Sequence, residues 1–505
     1  MNLARYCLAT GASDTPDKDA LAVVTDARSG AISERWSFAA LQDAVQRTGA
    51  GLLDAGFSPG ERLLIRLDNT STFPILFLGA IAAGIVAMPA SSQLTPDEAA
   101  FLLADSQAHG VALAQHLPRG EIPASVRVLM EDEVRALMAH PRRIDYADTH
   151  AGDPAYLLYT SGTTARPKGV VHAHRVGLGR SPMVEGWYGL TASDRMLHAG
   201  AFNWTYTLGT GLIDPWANGA TALIFAGEKT PEIWPPLIRA TGATLFAAVP
   251  SLMRQILKYA PPGPIDLGQL RHAMIAGEKP PEDLFAAWRE RTGLELYEAL
   301  GMSEISTYIS TSPAVPRKPG TAGKPQPTRR IAILPAGGGE DPLPAGEEGL
   351  IAVHRSDPGL MLGYWKRPEE EREVYRGEWF TGGDLGFMDA DGYITHMGRA
   401  NDIMKALGYR VAPQEVEAAI GQLEGVAEVA CAEVGVRADV SVIGAYIVLK
   451  PGAHLDAGTV KAFAARHLAA YKCPREVFFI EALPRTANGK VKRNALKDAT
   501  VAAQT

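Results

Sequence analysis

Short apolar runs separated by amphipathic stretches recur along most of the chain. Ala155-Tyr156-Leu157-Leu158-Tyr159, Ala222-Leu223-Ile224-Phe225 and Thr244-Leu245-Phe246-Ala247-Ala248-Val249 carry no charge and are too short for helices. Alternating with helical patterns, they predict an α/β chain whose strands are buried on both faces. Residues 73–90 are also uncharged, yet Pro74, Gly79, Gly84 and Pro89 punctuate them. That punctuation predicts a buried helix ending near Gly84 and then a core strand Ile85-Val86-Ala87-Met88, rather than a membrane span. Residues 331–353 are rich in Gly and Pro with apolar ends, which predicts a small β subdomain, with Gly337-Gly338-Gly339 as a hairpin turn. After Gly398-Arg399-Ala400-Asn401-Asp402 the pattern restarts: a helix over 413–423, strands over 426–434 and 442–449, a helix over 457–468 and a strand over 477–480. The expected architecture is a large N-terminal domain (1–400) of α/β layers with the β subdomain, and a small α+β C-terminal domain (401–505).

Composition narrows the function classes. A chain of 505 residues exceeds the usual single domain, and 46% hydrophobic with 21% charged residues excludes disorder, collagen-like repeats and coiled coil as the dominant state. Forty-nine Lys and Arg against 56 Asp and Glu give a net charge of −7, which supplies no general basic field for nucleic acid or an anionic membrane. Cys7, Cys431 and Cys473 are far apart with no metal-ligand spacing, and the first residues, Met1-Asn2-Leu3-Ala4-Arg5, lack an export pattern. A cytoplasmic location, as monomer or homodimer, is the expectation.

The most informative stretch is Tyr159-Thr160-Ser161-Gly162-Thr163-Thr164-Ala165-Arg166-Pro167-Lys168-Gly169-Val170-Val171. Hydroxyls, unhindered backbone N–H groups and one lysine are what a polyphosphate needs from a loop. A Walker loop is excluded, because Pro167-Lys168-Gly169 stands where that pattern needs Gly-Lys-Ser/Thr. Further polar segments follow in order: Ala276-Gly277-Glu278, Leu300-Gly301-Met302-Ser303-Glu304, Gly320-Thr321-Ala322-Gly323-Lys324-Pro325, Trp379-Phe380-Thr381-Gly382-Gly383-Asp384, Gly398 to Arg410, and Pro484 to Arg493. Together these seven segments resemble the adenylate-forming superfamily of acyl- and aryl-CoA ligases. The small C-terminal domain of that superfamily is mobile.

The resemblance implies an AMP-forming acid–thiol ligase using ATP, Mg²⁺ and coenzyme A. Thr160, Ser161, Gly162, Thr163, Thr164 and Lys168 would hold the phosphates, and Gly277, Glu278 and Ser303 would border the nucleotide. Glu304 would bind Mg²⁺, a hard ion that prefers oxygen. Asp384 would accept from the ribose hydroxyls, with Arg399 as a nearby cation. Lys490 would neutralise charge as the acid attacks the α-phosphate. Trp204, Tyr206, Ala276, Leu300, Gly301 and Met302 would line the acyl pocket. Asn401 would be the hinge, and Gly408, Tyr409 and Arg410 would serve CoA. By this resemblance Glu304, Lys168 and Lys490 are the catalytic set.

Departures refine the picture. Ala165 replaces a common glycine, Asn401 replaces a common hinge aspartate, and Leu300 replaces a common adenine-stacking aromatic residue. Gly301 stands where acetyl-CoA synthetases carry tryptophan, so open room for an acid larger than acetate is expected. Residues 68–84 and 148–154 look like benzoate-CoA ligases, whereas Trp204 and residues 214–220 look like medium-chain acyl-CoA synthetases. The aromatic or cyclic acid is favoured. A free-standing carrier protein is the alternative acceptor, and a non-catalytic nucleotide-binding regulator is disfavoured because Lys168, Glu304, Asp384 and Lys490 are all present. His172 and His174 lack a third ligand at suitable spacing and read as structural.

Overall fold

The computed structural model describes residues 1–160, 167–400, 404–406, 409–437, 440–485, 491–493 and 495–496. By Cα proximity the chain forms two compact units, Met1–Ile331 with Val353–Phe380 and Gly392–Ile394, and Ala332–Ala352 with Thr381–Asp391 and Thr395–Thr505.

Two sheets organise the first unit. One has nine strands, with a parallel centre in the order Leu296–Met302, His272–Ala276, Leu245–Ala248, Arg195–His198, Thr221–Phe225 and Asp19–Val24. Antiparallel strands flank it: Ile32–Ser37 at one edge, Ser306–Ser310 and then Lys324–Pro325 at the other. The second sheet has seven strands, in which Arg62–Arg66, Val86–Pro89, Gly110–Leu113 and Arg127–Met130 pair in parallel and Pro154–Thr160 joins Val86–Pro89. The helix Thr72–Ala82 is buried along its whole length and leads through Gly84, at φ +78°, into Val86–Pro89, as its punctuation predicts. A helix buried all round carries no amphipathic stripe, and its apolar run reflects the core it fills. Among the described residues no helix is long and apolar enough to cross a membrane.

The second unit holds most of a five-stranded sheet, in the order Ile331–Leu334, Gly349–His354, Trp379–Met388 and Tyr375–Arg376, with Ile394–Arg399 also on Trp379–Met388. Its C-terminal part packs the helices Pro413–Ile420 and Ala457–His467 with the antiparallel strands Val426–Arg437 and Val440–Leu449, and Glu476–Phe479 pairs in parallel with the latter. Val416, Ile420, Cys431, Ile443, Ile447 and Val460 form its core. The expected hinge residue Asn401 lies outside the described residues.

Candidate active site

The phosphate-binding candidate connects two antiparallel strands, Pro154–Thr160 and Lys168–Ala173, with Thr160 paired to Lys168 across the ladder. Tyr156, Leu157 and Leu158 are buried and anchor the first strand, so the apolar run that announces the loop also fixes its base. Ser161, Gly162, Thr163 and Thr164 fall outside the described residues. The short strand Gly363–Tyr364 adds to the far side of Lys168–Ala173, pairing Tyr364 with Val170. That register sets the Lys168 ammonium 5.4 Å from the centre of the Tyr364 ring and beside the Glu370 carboxylate.

Tyr364 also reaches the expected metal carboxylate. Its hydroxyl donates to Glu304 Oε1 at 2.7 Å, and the Met361 N–H donates to the Glu304 carbonyl at 2.8 Å. Glu304 occupies the turn between Leu296–Met302 and Ser306–Ser310, next to Ser303, whose carbonyl lies 2.8 Å from His172 Nε2. Lys168, Glu304 and Ser303 are therefore gathered at one place, and Tyr364, Glu370 and His172 are the partners that join them. Glu304 is half-buried, and its Oε2 has no hydrogen bond among the described residues, so the group suits a hard cation. His174 is structural, its Nδ1 accepting from the Leu3 N–H at 3.0 Å.

Beneath this turn lie two buried arginine–aspartate pairs. Arg180 donates to both oxygens of Asp214 at 2.7 Å and to the Ser306 hydroxyl at 2.6 Å. Arg329 donates to Asp357 at 2.7 Å, to the Gly179 carbonyl at 2.7 Å and to the Thr307 carbonyl at 3.2 Å.

Gly277 has φ +94°, a left-handed geometry that favours glycine, after the strand His272–Ala276. Glu278 accepts from the Ser251 hydroxyl at 3.2 Å and from the Ser251 N–H at 3.3 Å, in the first turn of the helix Pro250–Tyr259. Its carboxylate thus caps a helix whose own N-cap, Val249, has no capping side chain.

On the acyl side, Tyr206 and Ala276 belong to one buried cluster with Trp187 and Met274. The Tyr206 ring stacks on Trp187, with centroids 5.7 Å apart, and meets the His198 ring edge-on at 4.3 Å. Its hydroxyl donates to the Ala248 and Met274 carbonyls. Burial drives the His198 imidazole down to about 3 and so keeps it neutral. Trp204 is half-buried just before the short helix Thr205–Leu208, Leu300 is half-buried and Met302 is buried. Gly301 corrects an expectation. A Cβ there would lie 2.5 Å from the Ser306 carbonyl oxygen and 2.7 Å from the Thr307 Cα, so the space left by the missing side chain is taken by a neighbouring backbone.

In the second unit, Asp384 is buried, with Oδ1 3.1 Å from Arg399 Nε and 3.2 Å from His396 Nε2. Arg399 also donates to the Gly382 carbonyl. His396 is a member of this cluster that motif spacing alone does not single out. Tyr409 and Arg410 fall in the strand Tyr409–Val411, paired with Met404–Ala406. Gly408 and Lys490 lie outside the described residues, although Arg485 and Val491, which bracket the Lys490 loop, form a bridge.

The AMP-binding enzyme family model matches residues 8–365, and the AMP-binding enzyme C-terminal domain matches 415–490. The chain belongs to the AMP-binding enzyme family, within the adenylate-forming superfamily. It is 33% identical over 482 residues to the benzoate–CoA ligase of Thauera aromatica, spanning 90% of this chain and 89% of that protein. It is 29% identical over 498 residues to the mitochondrial acyl-coenzyme A synthetase ACSM3 of Pongo abelii, spanning 92% and 83%. Among solved structures, the anthranilate CoA ligase AuaEII in complex with anthranoyl-AMP superposes with a TM-score of 0.87 at 27% identity, covering 100% of this chain and 98% of that one. The expected fold class, a large N-terminal and a small C-terminal domain of mixed α and β structure, agrees with these neighbours.

Proposed function

We propose that this chain is an AMP-forming ligase that joins an aromatic or cyclic carboxylic acid to CoA. The observation carrying the reading is the likeness to a benzoate–CoA ligase along 90% of the chain. The anthranilate CoA ligase neighbour and the aromatic cluster of Trp187, Tyr206 and His198 support it. With Gly301 removed as a source of room, the case for an aryl acid rests on these observations.

The reaction divides into two displacements. A carboxylate oxygen attacks the α-phosphorus of ATP, forming the acyl-adenylate as pyrophosphate leaves. The CoA thiol, losing its proton, then attacks the acyl carbonyl as AMP leaves. In this reading Thr160, Lys168 and the hydroxyls of the intervening loop bind the phosphates, while Lys490 offsets charge at the α-phosphate. Glu304 would hold Mg²⁺, which neutralises phosphate charge when bound. Tyr364 orients the Glu304 carboxylate and its ring faces the Lys168 ammonium, so one side chain sets the spacing of the two charged groups. Asp384 is the acceptor for the ribose hydroxyls, with Arg399 beside it. Residues 1–400 would bind ATP and the acyl group and 401–505 would carry the catalytic lysine, with Asn401 as the pivot between the half-reactions.

A short- or medium-chain acid is the second reading, favoured by the likeness of Trp204 and residues 214–220 to medium-chain acyl-CoA synthetases and consistent with a relative named as an acyl-coenzyme A synthetase. Pyrophosphate release measured over benzoate, hydroxybenzoates, anthranilate, hexanoate and acetate, with and without CoA, separates the two. Strong turnover of an aryl acid that continues only with CoA is expected. Preference for hexanoate would move the substrate to the second reading, and single-turnover adenylation that CoA cannot relieve would overturn the ligase to CoA.

A further inference from the structure

Ser306 has φ +75°, a left-handed conformation that is strained for an L-residue and that glycine adopts freely. It ends the turn that begins after Met302 and contains Ser303 and Glu304. Its carbonyl approaches the Gly301 backbone, and Leu300 pairs with Ile309 while Gly301 pairs with Thr307, so one extra residue, Tyr308, is accommodated on the second strand. A serine at such a position needs a reason to stay. The structure supplies one in the 2.6 Å hydrogen bond from Arg180 Nη1 to the Ser306 hydroxyl.

Arg180 cannot easily move away. It is fully engaged with Asp214 through two hydrogen bonds, and Asp214 Oδ2 also accepts from the Tyr188 hydroxyl at 2.6 Å. Both side chains are 3% exposed. The guanidinium lies so close to the backbone of Gly209 that a Cβ there would be 2.0 Å from Arg180 Cζ. A planar fork held on two sides presents its remaining nitrogen in one direction, toward Ser306.

We propose that the buried Arg180–Asp214 pair is a positioning device for the Glu304 turn: it holds the Ser306 hydroxyl, keeps that serine left-handed, and so fixes the direction in which Ser303 and Glu304 leave the strand. Arg329 secures the next residue through the Thr307 carbonyl, and His172 and Tyr364 grip the turn from above. Ser306, Arg180 and Asp214 touch no substrate; they act through Glu304. The inference rests on the reading of Glu304 as the magnesium carboxylate.

Replacing Arg180 would leave Asp214 buried and unpaired and would disturb folding, so the test is made at Ser306. Ser306→Ala removes the anchor but keeps the conformational penalty, whereas Ser306→Gly removes both. The readouts are the Mg²⁺ concentration for half-maximal thermal stabilisation by ATP and that for half-maximal acid-dependent ATP–pyrophosphate exchange. Ser306→Ala should raise both about three- to tenfold, the range for losing one hydrogen bond, and Ser306→Gly should stay within about twofold of wild type because glycine needs no anchor. Equal shifts in the two variants, or none in Ser306→Ala, would overturn the positioning role. Glu304→Gln serves as the control: if it leaves the Mg²⁺ requirement unchanged, the metal assignment fails, and this inference with it. If Glu304→Gln shifts the requirement and Ser306→Ala does not, only the positioning inference fails.

Discussion

Arg180–Asp214 and Arg399–Asp384 are the same chemical pair in two different settings. In the first, both side chains are 3% exposed and each of the three guanidinium nitrogens donates to a fixed partner. In the second, the aspartate is 4% exposed but the arginine is 39% exposed, and the imidazole of His396 adjoins the same carboxylate oxygen. A sealed pair can only hold structure, because any ligand would have to displace protein from both ions. A pair with one open partner keeps a desolvated carboxylate beside a cation that solvent or a nucleotide can reach. Exposure of one member, rather than the presence of a salt bridge, separates a frame from a site.

The largest effect should follow from breaking the sealed pair. Asp214→Asn leaves the Arg180 guanidinium buried without its counter-charge, a change that costs about 3–5 kcal/mol. Chemical denaturation should show that loss in the midpoint with little change in slope. A loss below about 1 kcal/mol would mean that water reaches the pair and that the contrast drawn above is not one of burial.

Acidity should act next, and mainly on the first unit. Burial lowers His172, His174 and His272 to about 4 and His198 to about 3. His174 and His198 each use Nδ1 to accept a backbone N–H, from Leu3 and Gly200, which a protonated Nδ1 could not do. The folded values lie below the ordinary 6.5, so between about 6.5 and 4 the unfolded chain binds more protons than the folded one. Stability contributed by these groups is present above pH 6.5 and is lost as the pH falls toward 4. Proton uptake on unfolding at pH 5.5, measured by calorimetry in buffers of different ionisation enthalpy, should be positive. Zero uptake would show that these rings titrate alike in both states.

The buried helix at 72–82, its strand at 86–89 and the order of helices and strands in the small C-terminal part are legible in the sequence because local punctuation and periodicity carry them. The partners of the site are not. Tyr364 reaches Glu304 across 60 positions and Glu370 reaches Lys168 across about 200, and those meetings depend on a short strand, Gly363–Tyr364, that two residues cannot announce. Gly301 shows a different limit. A glycine reports that a Cβ does not fit or is not wanted, but cannot say whether the space belongs to a ligand or to a backbone; here it belongs to Ser306 and Thr307. Ser306 itself carries no sequence signal, since its left-handed conformation is imposed by an arginine 126 residues away.

The smallest effect on stability, and the most telling for the comparison, should come from Asp384→Asn. The substitution keeps the shape of the side chain and removes its charge. Unlike Arg180, the arginine left behind is 39% exposed, so water offsets part of the lost charge and the fold should lose only about 1 kcal/mol. Function should suffer more. A carboxylate accepts from two hydroxyls at once, whereas an amide has one oxygen to offer, and a hydrogen bond to a charged group contributes about 1.5–3 kcal/mol. The KM for ATP should therefore rise roughly 10- to 100-fold in acid-dependent pyrophosphate exchange. Substrate deletion completes the cycle. With 2′-deoxy-ATP the wild-type enzyme should already show part of this loss, and Asp384→Asn should add less to it than it does with ATP, because the two changes remove the same hydrogen bond. Additive losses would place the ribose away from Asp384, and the Asp384–Arg399 pair would then join Arg180–Asp214 as framework.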